Sequence, residues 1–412
     1  MIKWRQKLAL ACTSAVLSLA PAAHAAPQDD IAIVHGKLLT VTHGTIENGT
    51  LIMSEGKITG IGGPGTKVPP GIRVIDAKGR TVYPGLFDVD NSIGLIDPDS
   101  TRMATPTDDP AGTPVPWGFI ADVVRPTDQV AVERYNGLTN AVVNAGSQGP
   151  LPGHSAVIQL VDKKADLVVD RDAGLVINFQ GRRAADYPTT VFGIVGYVRQ
   201  LLVRAGELAA GAKRRDDDAA AEAFIPYLGG KQRIIAHVKN DTEVGDALDL
   251  AAEFKLDIVL VGLADADTSL DRIATSGFPV VVGMLFDDPQ PGRRYDQILR
   301  LPARMAEKGI PVSIGSLGIA GGPRNLPYLA GAAVAFGLPH DKALQAITLG
   351  PAKAFGLSDR LGSLDVGKAA NIVIADGDPL DVTTDVLQVF IEGREADMTN
   401  RQTRLRDRYW PE

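Results

Sequence analysis

The chain has 412 residues, a formal net charge of -7, 45% hydrophobic and 22% charged residues. This is ordinary globular usage, which excludes a disordered or fibrous chain, and the acidic balance argues against a nucleic-acid partner. One cysteine, Cys12, excludes a disulfide scaffold and a thiolate metal site, whereas six histidines leave a histidine site open.

Lys3, Arg5 and Lys7 precede a mostly apolar stretch, 8–19, that is too short to span a bilayer, and Ala23-His24-Ala25 has the A-x-A form of a cleavage site. Residues 1–25 therefore read as a signal peptide and imply a secreted, periplasmic protein. Its removal takes Cys12 and His24 and leaves His35, His43, His154, His237 and His340. No later segment is apolar enough to span a membrane.

Residues 26–80 carry short apolar runs at 31–34, 38–41, 50–53 and 57–61, separated by glycines, as in a small β-sheet or sandwich. From 81 to 360 strand candidates alternate with helical spacing. The strands fall at 139–143, 155–160, 234–237, 258–261, 280–282 and 312–314, and the helices at 244–254, 299–308, 326–336 and 341–349. Asp241 and Asp341 are expected N-caps. Such a β-α rhythm predicts a parallel barrel or doubly wound sheet. The stretches 101–116 and 289–295 are expected mouth loops, Asp97, Asp99, Asp108 and Asp109 solvated loop residues, and 213–218 a solvated connector. Strand signals return over 361–400, forming a second part of the sandwich, and 401–412 is a tail.

Several segments combine into a more specific pattern. They are Gly56-Lys57-Ile58; Tyr83-Pro84-Gly85-Leu86-Phe87-Asp88; His237; Arg324-Asn325-Leu326-Pro327; Leu361-Gly362-Ser363-Leu364 with Gly367-Lys368; and Asp376-Gly377-Asp378-Pro379-Leu380. Together they resemble the amidohydrolase superfamily, in particular its imidazolonepropionase-like and secreted Xaa-Pro dipeptidase-like branch. The resemblance implies a distorted (β/α)8 TIM barrel with a β-sandwich built from both chain ends. It also implies a small-molecule substrate and metal-assisted hydrolysis of a C–N bond in an amide, cyclic amide or dipeptide. A divalent metal would activate water and polarise the carbonyl.

The metal ligands that this family implies are mostly replaced. A D-x-H-x-H run should follow from Asp88, but Asp90 and Ser92 occupy the histidine positions. Gly262 stands at the strand-6 ligand position and Leu317 at that of the strand-8 aspartate; His237 alone matches, on strand 5. His237 reads either as a remnant ligand or general base, with Asp90 as its catalytic companion, or as an ordinary strand-end histidine. By strand parity Asp88, Asp90 and Ser92 share one face, as a hard-cation site or as a polar network without metal. Lys239 reads either as paired with Asp90 or Asp88 in place of a metal's charge or as merely solvated at the strand end, and Ser316 as a pocket contact. His154 is expected in a loop or supporting role, and His35, His43 and His340 at the surface. The residues favour a non-catalytic binding or partner subunit, in a homo-oligomer or beside an intact relative. The resemblance implies a hydrolase.

Overall fold

The computed structural model describes residues 30–95, 114–146, 149–181, 187–288, 292–318 and 322–410. The proposed signal peptide, most of the 101–116 loop and the four aspartates from Asp97 to Asp109 lie outside these. No helix among the described residues is long and apolar enough to cross a membrane.

Two eight-stranded sheets organise the chain. The first draws on both ends: β1 (Ile31–Leu39), β2 (Thr45–Ser54), β3 (Lys57–Gly62), β4 (Arg73–Asp76) and β5 (Thr81–Pro84), then β14 (Ile372–Ala375), β15 (Val386–Ile391) and β16 (Arg394–Glu395). It branches at β1, whose first half pairs in parallel with β4 and whose end pairs with β5. The arms enclose a core of Ile33, Leu38, Leu51, Met53, Ile58, Val82, Ile372, Ile374 and Phe390. The Gly56-Lys57-Ile58 and Gly367-Lys368 motifs meet here. Ile58 N donates to Lys368 O at 2.9 Å, and Gly367 N donates to Ile58 O at 2.8 Å.

The second sheet is a nearly closed barrel. It comprises β6 (Leu86–Asn91), β7 (Leu138–Val143), β8 (Gly153–Gln159), β9 (Val168–Asn178), β10 (Arg233–Asn240), β11 (Asp257–Asp265), β12 (Val280–Val282) and β13 (Val312–Ile314), adjacent in that order. Its distortion is specific. β8 runs antiparallel to both β7 and β9, so a meander replaces two β-α units, while the other neighbouring pairs are parallel. Phe87, Val89, Val142, Val157, Val176, Ile235, Val259, Val261 and Val281 fill the barrel. Such β-branched packing suits layered strands.

Gly85 is the junction between the sheets. Its N–H donates to Asn371 O at 2.8 Å, and a Cβ there would overlap the Thr139 side chain. This contact explains the glycine of the Pro84-Gly85 motif.

Several local expectations need correction. Helix Asp241–Phe254 is capped by Asn240, whose side chain accepts from Thr242 N and Glu243 N, and Asp241 is its first residue. Asp341 lies in the first turn of helix His340–Ala346, whose N-cap is Pro339. Helix Val191–Ala209, begun by Thr190, was not anticipated. In the 213–218 connector Asp218 is buried, not solvated. It accepts from Arg204 at 2.6 and 2.7 Å, and these bonds hold its carboxyl down at about 2. The expected tail contains helix Arg401–Tyr409, started by an Asn400/Thr403 capping box.

Replacing Gly85 with alanine should cost about 1–3 kcal/mol through overpacking against Thr139, read as a lower urea midpoint with unchanged m-value.

Candidate functional site

The C-terminal ends of the barrel strands surround a cavity of about 400 Å³, lined in part by Asp90, Ser92, Asn144, His237, Lys239 and Leu317. Barrel sites form at this face.

Asp90 reaches the cavity through a backbone irregularity. The β6–β7 register shifts between Val89 and Asn91, and Asp90 has φ +66°. A bulge of this kind re-aims a side chain at a strand end. The parity expectation therefore fails. Phe87 and Val89 face the barrel interior, so Asp88 faces away from it, while the bulge turns Asp90 into the mouth.

His237 follows Ile235 by two residues on β10 and so also faces inward. The ring is buried, 7% exposed, with Nε2 3.2 Å from Asp90 Oδ1. Nε2 is nonetheless without a hydrogen bond, so the two groups are close but not aligned along a donor–acceptor axis. Lys239 lines the same mouth. It is not paired with Asp88 or Asp90 among the described residues; His237 occupies the place beside Asp90. Its backbone N–H donates to Glu243 Oε2 at 2.6 Å, and Asn240 Nδ2 donates to Glu243 Oε1 at 2.9 Å. The cap of the following helix thus fixes the end of β10.

Asp88 and Ser316 lie behind the mouth rather than in its lining. Asp88 is fully buried and accepts from Ser316 N at 2.7 Å, Ser316 Oγ at 2.6 Å and Asn91 Nδ2 at 2.8 Å. Burial pushes its carboxyl up to about 6, against the lowering effect of these donors. Nearby Glu133 is pushed up to about 7, first by burial and then by the charge of Asp88.

The two other replaced positions are closed for steric reasons. Gly262 has φ +109°, and a Cβ on it would press on Val238 O, so the strand-6 position has no room for a ligand side chain. Leu317 leans on Gly283, where a Cβ would overlap it. Left-handed backbone recurs around the mouth in non-glycine residues: Asp90, Leu263 (φ +61°), Met284 (φ +57°) and Leu317 (φ +48°). Each such residue costs on the order of 1–3 kcal/mol and tends to mark a functional site.

The residues present do not fit the metal centre that the family resemblance implies. The only paired donors among the described lining residues are one imidazole and one carboxylate; Asp287 also lines the mouth but forms no group with them, and the oxygens of Asp88 are taken by Ser316 and Asn91. No group of three or more His, Cys, Asp or Glu among the described residues could hold an ion. A zinc site needs three or four such ligands, and hard cations need six or more oxygens.

His154 belongs to a separate network. Its Nε2 is 2.8 Å from Pro116 O, and its Nδ1 is 2.9 Å from Asp172 Oδ1 and 3.0 Å from Tyr227 Oη. Phe119 stacks on its ring at 4.1 Å. This fastens the segment around 114–119 to β8. His35, His43 and His340 are exposed and sit beside Asp76, Asp365 and Asp378. Asn144, Gln180 and Asp287 also line the mouth and were not singled out beforehand. The position of Asn144, just after β7, was the available signal.

A family model described as "Amidohydrolase family" matches residues 294–397. The chain is 23% identical over 401 residues to amidohydrolase tasK of Hapsidospora irregularis, covering 84% of this chain and 39% of that protein. It is 37% identical over 133 residues to an imidazolonepropionase of Syntrophobacter fumaroxidans, covering 31% of this chain and 30% of that protein. The chain thus spans less than half of either relative. A crystal structure of an amidohydrolase from Thermotoga maritima MSB8 shares the fold, with TM-score 0.80 at 24% identity over 90% of this chain and 100% of that one. Residues 294–397 thus match the amidohydrolase family model, and the chain shares the fold of that Thermotoga maritima structure.

The raised carboxyl of Asp88 gives stability a definite pH dependence. The folded chain binds this proton more tightly than the unfolded chain, so the stabilisation is full below the ordinary value of 3.8 and is lost as pH rises through about 6. Such a shift corresponds to about 3 kcal/mol. Glu133 acts in the same direction up to about 7. Unfolding free energy measured by urea titration should fall across this window, and less steeply in Asp88→Asn.

Proposed function

We propose that the chain hydrolyses a C–N bond in a small amide, cyclic amide or dipeptide-like molecule bound at the barrel mouth, using His237 and Asp90 instead of a metal centre. The observation that supports this most is the buried imidazole 3.2 Å from a carboxylate, both facing the cavity. The match of residues 294–397 to the amidohydrolase family model and the likeness to an imidazolonepropionase support it.

The chemistry follows from that pairing. His237 takes a proton from a water as the water attacks the carbonyl carbon, and Asp90 stabilises the imidazolium that forms. The Lys239 ammonium, which has no carboxylate partner from the strand-1 aspartates, favours the developing oxyanion in this partly enclosed cavity. His237 then returns the proton to the departing nitrogen, giving a carboxylic acid and an amine. The Asp88–Ser316 link takes no part in proton transfer. It holds β6, and hence Asp90, in place.

A second reading has its own support. Leu317 and Gly262 remove donors that the family mechanism uses, which favours a non-catalytic binding subunit, alone or beside an intact relative.

A panel of N-acyl amino acids, dipeptides and cyclic amides separates the two. Turnover should be insensitive to chelators and should fall roughly 10²–10⁴-fold in His237→Ala and strongly in Asp90→Asn. Chelator-abolished turnover would overturn the metal-free reading. Saturable binding without turnover across the panel would establish the binding subunit.

A further inference from the structure

The opposite end of the barrel holds a second cavity. It measures about 550 Å³, larger than the mouth, and is walled by the entries to β10, β11, β12 and β13 and by the helices His340–Ala346 and Leu349–Ala354. Apolar wall groups come from Phe278, Pro279, Ile310, Pro311 and Leu338. A cavity with such walls and a few polar groups is the usual form of a small-molecule site.

Its charges are one-sided. Arg233, Lys342 and Lys353 are the cations of the wall and Asp257 the carboxylate. Arg233 is fully engaged. Nε and Nη2 donate to Asp257 Oδ2 at 3.0 and 2.8 Å, and Nη1 donates to Ala354 O. That pair is neutral, so the two lysines set the local field. Lys342 Nζ reaches only the neutral Gln345 Oε1, at 3.5 Å, and neither lysine forms an ion pair among the described residues. Two lysines without an ion pair thus give this lining a net positive charge in a chain whose net charge is -7, with Asp341 in the adjoining space. Both lysines and Gln345 also line an adjoining cavity of about 480 Å³, so they stand at a junction of two spaces.

We infer that this lower cavity is a binding site for a small amphipathic carboxylate, with the anionic head held between Lys342 and Lys353 and the apolar body against Phe278, Ile310 and Leu338. A cationic amphiphile is disfavoured by the lysines, and a fully polar anion would leave the apolar wall hydrated. The site is independent of the mouth, since the two linings share no residue.

Calorimetric titration of the purified protein with decanoate tests this. Saturable binding of one decanoate is expected, weakening roughly tenfold or more in a Lys342→Gln/Lys353→Gln double variant and unchanged in Asp90→Asn. Decyltrimethylammonium should give no binding, and decanol binding at least roughly tenfold weaker than decanoate. Both lysines are exposed, so the double variant should melt at the wild-type temperature. Undiminished affinity in that variant, loss of binding in Asp90→Asn, or no decanoate binding to the wild type would each overturn the inference.

Discussion

Asp88 joins the first barrel strand to the chain just beyond the last. Strands β6 and β13 stand at the two ends of the strand order, with no ladder between them. The Asp88 carboxylate spans that gap, taking the backbone N–H and hydroxyl of Ser316 and, from its own side, the Asn91 amide. A carboxylate without such donors would be too costly in a fully buried position. Closure therefore rests on a short polar bridge between strands otherwise held by apolar packing. The placing of Asp90, two residues further along, depends on it.

This arrangement divides the strand-1 motif between two tasks. The aspartate at its head serves the seam, and the residue two places on serves the mouth, through a register shift that simple alternation along a strand does not describe. Ser92 lines the cavity but cannot act as the second histidine of a ligand pair. With Gly262 closed to any side chain and Leu317 seated on Gly283, four of the five ligand positions that the resemblance implies, 90, 92, 262 and 317, hold other residues. His237 keeps its position and gains a carboxylate neighbour.

Much of the architecture was legible in the sequence. Val280–Val282 and Val312–Ile314 are compact β-branched or apolar runs, and they form strands at the expected residues. The glycine-punctuated ends do assemble into one sheet, because each half has only one apolar face to bury. Helix Val191–Ala209 was hidden by Gly193, Gly196 and Gly206 among valines and an isoleucine, a composition with weak helix propensity. Its buried Ile194, Val198, Leu202 and Ala205 show that tertiary packing overrides this. The reversal of β8 was not readable either, since strand direction depends on connections and not on side-chain pattern. At the site, residue identities were readable, but the turning of Asp90 and its meeting with His237 were not. Both depend on backbone torsion at a bulge.

The left-handed residues around the mouth carry a further implication for how this barrel is open to change. Leu263, Met284 and Leu317 hold a conformation that glycine would adopt with far less strain. Backbone strain on the order of 1–3 kcal/mol at each position is thus gathered at the rim, and at Leu263 a fully buried side chain offsets it. The rim, more than the well-packed interior, is therefore where a change to glycine would trade backbone strain against side-chain packing.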